Sequence, residues 1–347
     1  MTLAVRYTAA RTLDTAPVEP TSPGPGEVEL APTYVGICGT DLHIFHGDMD
    51  ARVSTPAVLG HEMSGRVLRV GPDVEGWRPG DAVTVMPLRW DDSCPACRAG
   101  NRHICQHLDF IGIDSPGAMQ QRWIVPAATL VGLPDSLPLD RAALVEPTAV
   151  AVHDVDRARV RDGERVVVVG GGPIGILIAL VARATGAEVR VVELSGHRRT
   201  LAQKLGLTTW NPAAEDVPEL VRQWTGDAGA DVAFEVSGAA GGVDTAVQVL
   251  GVRGRLCLVA IHPRPREVDL HRFFWRELTL IGARLYARSD FEKAVTLIAD
   301  GTVPAELLIS KVVPLTQAPA AFEALEAGGD VMKILVDCTD DAQGAAV

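Results

Sequence analysis

The stretch ERVVVVGGGPIG, residues 164–175, determines the fold class of the second part of this chain. Its continuous β-branched run is typical of a parallel strand that is buried on both faces. Gly170, Gly172 and Gly175 follow with G-x-G-x-x-G spacing, and Pro173 and Ile174 lie between the last two. The first glycine makes the tight turn, the second admits a pyrophosphate, and the third allows close packing of helix on strand. The stretch therefore predicts a strand, a turn and a helix whose N-terminus binds a dinucleotide.

The sequence that follows supports this prediction. Glu193 closes a second strand, AEVRVVEL, where an acid is expected to receive the ribose hydroxyls and to repel a 2′-phosphate. The cofactor is therefore expected to be NAD. NADP is less favoured, although Arg198 and Arg199 just beyond would soften the preference. The alternative for Glu193 is a solvated carboxylate at a strand end. Two later strands, ADVAFEVSG and GRLCLVA, alternate with helices and predict a doubly wound α/β domain.

The first 147 residues have a different pattern of apolar and turn-forming residues. Short apolar runs are cut by Pro and Gly clusters such as TSPGPGEVEL (21–30), which predicts an all-β, barrel-like region. The tail from about residue 287 mixes one helix with two strands. A length of 347 residues agrees with two domains.

Composition excludes several classes of function. The net charge of −12 argues against nucleic acid and anionic membranes as partners. The N-terminus lacks the apolar core of a signal peptide, and the uncharged stretch 166–182 is shorter than the roughly 20 residues of a spanning helix. We therefore expect a cytoplasmic protein, in which clustered cysteines indicate metal binding more than disulfides.

Two stretches, GICGTDLH (36–43) and LGHEMSG (59–65), supply candidate ligands for a metal ion. Cys38, His61 and Glu62 together are a reasonable ligand set for zinc with one open position. Neighbouring residues of a strand point to opposite faces, so His61 and Glu62 share one ion only if Gly60 or Gly65 bends the chain. Alternatively, one of the two ligates while the other lies behind it or exchanges with it.

Three further polar residues lie beside Cys38. Asp41 is placed to accept a hydrogen bond from a ligating histidine, and Thr40 with His43 can form a path for a proton. The alternative is that these histidines are ordinary structural residues.

A second cluster, DDSCPACRAGNRHIC (91–105), has the spacing D-x2-C-x2-C-x7-C through Asp91, Cys94, Cys97 and Cys105. Four ligands on one short loop predict a closed structural zinc site. Asp91 is a harder ligand than a thiolate and would lower the affinity. Three free cysteines, or a redox pair at Cys94 and Cys97, are the alternatives.

The motifs GICGTDLH, LGHEMSG, the cysteine cluster, LVEPTAVAVH (144–153) and VVVGGGPIG occur in the order found in zinc-containing medium-chain dehydrogenases. The whole chain resembles this family, and LVEPTAVAVH resembles the branch of polyol, butanediol and threonine dehydrogenases. The resemblance implies a GroES-like β-barrel catalytic domain (1–147 and 287–347, structural-zinc lobe about 88–106). It also implies an inserted Rossmann domain (148–286) and a homotetramer or homodimer.

The resemblance also assigns roles to residues. Cys38 and His61 would bind the catalytic zinc, Glu62 would be a direct or exchanging ligand, and Glu146 would ligate directly or through water. Thr40 and His43 match the proton relay, and Asp41 would support His61. Two departures are Asp91, where most relatives have cysteine, and GAMQQRW (117–123), which indicates an unusual substrate surface or altered packing.

The implied activity is reversible oxidation of a secondary alcohol (a polyol, cyclitol or sugar alcohol) to a ketone with NAD. Threonine and 2,3-butanediol are alternative substrates. A zinc-free NADPH reductase, a zinc hydrolase and a non-catalytic dinucleotide-binding protein are competing classes. The residues considered for the substrate pocket are Phe45, His46, Trp90, Phe110, Met119 and Arg288.

Overall fold

The structure is a computed structural model that describes residues 2–19 and 21–339. The chain divides into two compact units. Unit 1 comprises Met1–Glu146 and Ala287–Val347, and unit 2 comprises Pro147–Tyr286. No helix in the described residues is both long and apolar enough to span a membrane.

The strands of the two units are numbered in chain order. They are β1 (Thr2–Ala9), β2 (Thr12–Val18), β3 (Glu27–Gly36), β4 (Ala57–Val58), β5 (Glu62–Val70), β6 (Ala82–Val85), β7 (Leu88–Arg89), β8 (Asp109–Phe110), β9 (Trp123–Pro126), β10 (Leu130–Gly132), β11 (Arg165–Val169), β12 (Glu188–Val192), β13 (Thr208–Trp210), β14 (Ala230–Glu235), β15 (Leu250–Leu258), β16 (Thr279–Gly282), β17 (Ile309–Pro314) and β18 (Lys333–Asp337).

The α-helices follow the same order, and four short 3₁₀ turns accompany them. The helices are α1 (Gly39–His46), α2 (Pro95–Arg98), α3 (Leu139–Ala142), α4 (Val145–Ala158), α5 (Pro173–Ala184), α6 (Gly196–Lys204), α7 (Val217–Thr225), α8 (Ala240–Gln248), α9 (Leu270–Arg276), α10 (Arg288–Ala299) and α11 (Ala318–Glu326). The 3₁₀ turns are Arg102–Ile104, Ala127–Thr129, Ala305–Leu307 and Leu315–Gln317.

Unit 2 contains the parallel sheet predicted from the valine run. Its order is β13-β12-β11-β14-β15-β16, and β11 pairs in parallel with both β12 and β14. Val166, Val167 and Val168 of β11 are fully buried, as expected of a strand covered on both faces. The strand order reverses between β11 and β14, which is where a dinucleotide binds in a doubly wound sheet.

The stretch 206–229 looked merely polar in the sequence, but it contains β13 and α7. Asp216 caps α7 by accepting a hydrogen bond from the Glu219 amide (3.0 Å), and Gly226 ends the helix with φ +59°. Trp224 of α7 packs edge-on against Trp210 of β13, with ring centroids 5.9 Å apart. Three residues of strand are too few to show a period, so tertiary packing decided these elements.

Unit 1 is built on a sheet ordered β10-β6-β5-β3-β18-β17, with β9 also pairing with β3. A second sheet is ordered β2-β1-β4, and β7 pairs with β8. The returning tail completes the first sheet, because β18 pairs antiparallel with β3 through Leu335↔Gly36 and Val336↔Val35. This pairing brings residue 333 close to the end of β3, although the two are about 300 residues apart in the chain.

The expectation of an all-β first region was wrong at residues 39–46, where α1 begins inside GICGTDLH and continues beyond it. Cys38 takes the N-cap position, and Gly47 ends the helix with φ +86°. A cap and a C-terminal glycine are enough to make a short helix here.

The segment 117–123, which departs from the family pattern, serves packing within unit 1. Met119 is fully buried, and Oε1 of the Gln121 side chain accepts a hydrogen bond from the Leu3 amide (2.8 Å). Arg122 lies 3.3 Å from the buried carboxylate of Glu29, which also pairs with Arg69. These contacts support altered packing over an unusual substrate surface.

Candidate active site

The position of the Cys38 thiol is set by the helix that it caps. Asp41, in the first turn of α1, accepts a hydrogen bond from the Cys38 amide through Oδ2 (2.8 Å). Asp41 is fully buried, whereas Cys38 is partly exposed. The carboxylate therefore locks the backbone that carries the thiol while leaving the sulfur accessible.

His61 and Glu62 come together with Cys38 because the chain turns at Gly60. Gly60 has φ +97°, and a Cβ there would lie 2.7 Å from Val35 Cγ1 and 2.8 Å from Met119 Cγ, so only glycine fits. His61 precedes β5, which begins at Glu62. The alternation of side chains between the two faces of a strand therefore does not force His61 and Glu62 apart. Potential ligand atoms of Cys38, His61 and Glu62 all lie within 4.8 Å of one another.

The bend predicted at Gly60 or Gly65 lies at Gly60. Gly65 is inside β5 and opposes Pro32 of β3. A Cβ at Gly65 would collide with the carbonyl oxygen of Ala31. Close approach of two strands therefore explains this second glycine.

The surroundings of His61 favour a positive charge. Its Nδ1 lies 3.7 Å from Asp41 Oδ1, and its ring packs edge-on against Phe110 at 5.1 Å. Burial alone would lower the pKa of His61, but the charge of Asp41 and the hydrogen bond with Cys38 outweigh it and raise the pKa well above its usual value. A metal cation bound by these groups would supply the positive charge that the anions favour.

Lys333 is a member of this cluster that the sequence analysis missed. Its Nζ donates to both oxygens of Glu62, at 2.8 and 2.6 Å, and to the carbonyl of Ile37 at 3.2 Å. Lys333 and Glu62 are 3% and 1% exposed, so this is a buried ion pair. Burial lowers the pKa of Lys333, but the charges of Glu62 and Cys38 outweigh that effect and raise it. The available signal was a lysine inside the apolar run MKILVDC.

A thiolate, an imidazole and a carboxylate, two of them buried, match the ligands of a catalytic zinc. Lys333 holds the carboxylate that such an ion would bind. Glu146, in the first turn of α4, is buried, and its charge adds to the raised pKa of both His61 and Lys333. Among the described residues, the set of candidate ligand atoms within 4.8 Å of one another contains Cys38, His61 and Glu62 but not Glu146. The role of Glu146 as a ligand therefore stays a prediction.

Thr40 and His43 lie three residues apart on α1, on the same side of the helix. Thr40 is half-buried. His43 is 45% exposed, and its Nδ1 lies 3.1 Å from Asp48 Oδ2. The proton path through Thr40 and His43 stays a prediction.

The glycine-rich turn of unit 2 is sterically required. Gly170 has φ +110°, and a Cβ there would meet the Ser237 amide nitrogen at 2.9 Å. A Cβ at Gly175 would collide with the Gly170 carbonyl oxygen. Gly172 caps α5, and Pro173 follows as the first helical residue with Ile174 next. The turn thus presents the N-terminus of α5 without side chains in the way.

Glu193 is 9% exposed and braces this turn. Its Oε2 accepts a hydrogen bond from the Gly171 amide and its Oε1 from the Ser195 amide, both at 2.7 Å. Arg198 lies beside it, with its guanidinium 4.0 Å from Oε2. A carboxylate has about four acceptor positions, so Glu193 can still accept from ribose hydroxyls.

The cysteine cluster forms the second group of potential metal ligands, and atoms of Asp91, Cys94, Cys97 and Cys105 lie within 4.8 Å of one another. Cys94 Sγ accepts from the amides of Gln106 and Cys97, both at 3.4 Å. These hydrogen bonds, the Gln106 amide first, lower the pKa of Cys94 to about 7. A zinc ion requires deprotonated ligands, which the pKa of Cys94 favours, whereas burial raises the pKa of Cys97 to about 12.

Asp91 has a partner that the sequence analysis did not find. His107 Nδ1 lies 2.5 Å from Asp91 Oδ2, and its side chain is 71% exposed. The other oxygen, Oδ1, accepts from the amides of Ser93 (2.9 Å) and Cys94 (3.0 Å). These contacts, His107 first, hold the pKa of Asp91 well below its usual range.

Comparison with known proteins identifies the family. Residues 24–135 match the alcohol dehydrogenase GroES-like domain, and residues 173–300 match the zinc-binding dehydrogenase domain. The chain is 48% identical to the 2-dehydro-3-deoxy-L-galactonate 5-dehydrogenase of Pseudoalteromonas atlantica, over 96% of this chain and 98% of that protein. The chain belongs to the zinc-binding alcohol dehydrogenase family.

Two other similar proteins agree with this assignment. The L-galactonate-5-dehydrogenase of Escherichia coli is 32% identical over 87% of this chain and 88% of that protein. The crystal structure of 2R,3R-butanediol dehydrogenase from Bacillus subtilis superimposes with a TM-score of 0.90 at 30% identity, covering 97% of this chain and 99% of that one. Membership confirms the predicted family, the fold class and the prediction that this zinc-binding dehydrogenase is an oxidoreductase.

The residues considered for the substrate pocket of this dehydrogenase have different surroundings. Phe110 contacts His61, whereas Phe45 packs on Phe322 at 5.6 Å. Trp90 packs against the cysteine cluster, and Arg288 donates to the carbonyls of Ala128 and Leu130. His46 lies 3.1 Å from Glu326. Of this set, Phe110 has the clearest link to the metal-binding residues.

Asp91 gives a testable property of the dehydrogenase's second metal site. Because zinc binds thiolate in preference to carboxylate, we expect Asp91→Cys to slow the extraction of zinc by a chelator at least about tenfold. Asp91→Ala should speed the extraction. The measurement is the time course of zinc release to a coloured chelator, and equal rates in all three proteins would contradict ligation at residue 91.

Proposed function

We propose that this chain catalyses the reversible, NAD-dependent oxidation of a secondary hydroxyl group of a sugar acid or polyol to a ketone. The observation that carries the proposal is the convergence of Cys38, His61 and Glu62 in one buried cluster of a zinc-binding dehydrogenase. The alternative classes, a zinc hydrolase and a non-catalytic dinucleotide-binding protein, make no use of this combination with the glycine-rich turn.

The residues of the cluster have separate tasks in the proposed reaction. Cys38 and His61 would hold zinc together with Glu62 or Glu146, and bound zinc supplies a Lewis acid that polarises the substrate oxygen. Asp41 holds the Cys38 backbone and lies beside His61. Lys333 holds the Glu62 carboxylate.

The proton of the substrate hydroxyl needs a path to solvent. Thr40 is half-buried and His43 is partly exposed, one helical turn further along α1. We propose that Thr40 accepts the proton from the substrate hydroxyl and that His43 passes it to solvent.

We propose NAD rather than NADP as the cofactor. Glu193 places a buried negative charge beside Gly171 of the phosphate-binding turn. A 2′-phosphate would meet this charge, although Arg198 nearby reduces the penalty.

The substrate class follows from two relatives. One is named as a 5-dehydrogenase of 2-dehydro-3-deoxy-L-galactonate and the other of L-galactonate, so both names describe oxidation at position 5 of a six-carbon sugar acid. We propose the same class for this chain. The test is NADH formation by zinc-loaded protein with both sugar acids, sorbitol, 2,3-butanediol and L-threonine. We expect a sugar acid to have the highest kcat/KM, and turnover of threonine or butanediol alone would refute the assignment.

We also propose a homo-oligomer, a dimer or tetramer, in the cytoplasm. Leu270, Phe274 and Trp275 of α9 are each more than 70% exposed, and Leu280 lies on the edge strand β16. An exposed apolar patch beside an open sheet edge is typical of an interface. Sedimentation of a stable monomer at micromolar concentration would contradict the oligomer.

A further inference from the structure

Glu235, the last residue of β14, organises the carboxyl edge of the unit 2 sheet. Its side chain is fully buried, and Oε1 accepts from the Ser237 amide (2.9 Å), the Ser237 hydroxyl (2.5 Å) and the Gly238 amide (3.0 Å). Its own carbonyl oxygen accepts from the amides of Val259 (3.0 Å) and Ala260 (3.1 Å), which follow β15. One residue thus connects the turns that follow two neighbouring strands.

His262 completes this connection from the second turn. Its Nε2 lies 2.9 Å from Glu235 Oε2, and its side chain is 15% exposed. Arg266 Nε donates to His262 Nδ1 at 3.4 Å. Arg266 can only donate, so Nδ1 of His262 is the accepting nitrogen. Nε2 therefore carries the hydrogen and donates it in a hydrogen bond to Glu235. A buried carboxylate needs such a donor, because a buried charge whose oxygens lack hydrogen bonds is costly.

This connection lies at the point where the strand order reverses. Gly170, directly after β11, is so close to Ser237 that a Cβ would lie 2.9 Å from the Ser237 amide nitrogen. The phosphate-binding turn and the turn after Glu235 are therefore in contact. In a doubly wound sheet one half binds each mononucleotide, and β14 and β15 belong to the half opposite Glu193. By this rule, residues 259–262 would lie on the half of the sheet that takes the nicotinamide mononucleotide.

We propose that His262, held between Glu235 and Arg266, is a positioning residue that fixes residues 259–262 for the nicotinamide half of the cofactor. Glu235 holds this segment by two backbone hydrogen bonds and one side-chain pair, so the segment has its path before the cofactor binds. Preorganisation of this kind reduces the entropy lost on binding. The inference rests on the proposed dinucleotide cofactor and makes no use of the metal-binding residues.

The test compares binding of NAD with binding of AMP, which occupies only the adenosine half. We expect His262→Ala to weaken NAD binding roughly tenfold, the usual effect of losing one hydrogen bond to a charged group. AMP binding should stay within about twofold, since Glu193 and the glycine-rich turn are untouched. His262→Gln keeps a donor for Glu235 and should recover most of the loss. Isothermal titration calorimetry of the full-length protein measures both ligands without turnover.

Gln223→Ala is the control, because Gln223 is an exposed residue of α7 in the same unit whose side chain donates to Glu219 one turn away. It should leave both affinities unchanged. Equal weakening of NAD and AMP by His262→Ala, together with a lower Tm, would show a merely structural role and overturn the proposal. Unchanged NAD binding would also overturn it. If wild-type protein binds NAD but oxidises no substrate of the panel, the proposed reaction fails while this test still decides the role of His262.

Discussion

His61→Ala should lower kcat by about 10³-fold or more, because a catalytic metal contributes several kcal/mol of transition-state stabilisation and each 1.4 kcal/mol is a factor of ten. His61 is fully buried between Cys38, Asp41 and Phe110, and alanine removes its only nitrogen donors. Binding of NAD should persist, because the glycine-rich turn and Glu193 lie in unit 2. The measurements are initial rates with the best substrate and calorimetric titration with NAD.

The zinc content of the His61→Ala protein is an independent test of the same prediction. We expect bound zinc to fall from about two ions per chain to about one, since the cysteine cluster keeps its own four ligands. Gln223→Ala, at the exposed position of α7 in unit 2, serves again as control and should keep full activity and zinc. Retention of activity by His61→Ala would rule out the proposed catalytic site, whereas a loss of NAD binding would indicate misfolding.

Lys333→Met should destabilise the zinc-free protein by about 3–5 kcal/mol, the usual cost of leaving a buried charge without its partner. Methionine keeps the length and the apolar stem, so the loss is mainly that of the positive charge beside Glu62. Glu62 would then lie close to Cys38 and Asp41 without the ammonium group that donates to both of its oxygens. Urea titrations followed by circular dichroism give the change in the free energy of unfolding.

Two comparisons separate charge from packing in this experiment. The double variant Glu62→Gln with Lys333→Met removes both charges and should recover most of the stability. Loading with zinc should reduce the effect of Lys333→Met, because the ion replaces part of the lost positive charge. Lys311→Met, on the exposed face of the neighbouring strand β17, is the control and should change little. An effect of Lys333→Met below about 1 kcal/mol in both states would contradict the importance of the buried pair.

The elements and motifs that depend on residues close together in the chain could be predicted from the local sequence. The valine run predicted β11 because a strand buried on both faces has no polar alternation. Gly170, Gly172 and Gly175 were predictable from their spacing, and the structure requires glycine sterically at residues 170 and 175. The same holds for the ligands Asp91, Cys94, Cys97 and Cys105, which lie on one loop and were grouped by spacing alone.

The GICGTDLH helix and the elements of 206–229 were not predicted. A helix of eight residues begun by Cys38, and a strand of three residues, are too short for periodicity to distinguish them. Capping by Asp41 and by Asp216, and packing of Trp210 on Trp224, decided these segments. Such contacts depend on geometry that a pattern of apolar residues does not encode.

The sequence by itself determined the doubly wound unit, the dinucleotide turn and the candidate zinc loop at residues 91–105, because each is written in residue types at short, fixed spacings. The candidate ligands Cys38, His61 and Glu62 come from two separate motifs that the fold brings together. Only the tertiary structure showed which charge partners surround them. The paired residues are far apart in the chain. Lys333 and Glu62 are separated by 271 positions, His107 and Asp91 by 16, and His262 and Glu235 by 27. A buried carboxylate needs a hydrogen-bond donor or an opposite charge, but burial requires only that this partner be near in space, so its distance along the chain is unconstrained.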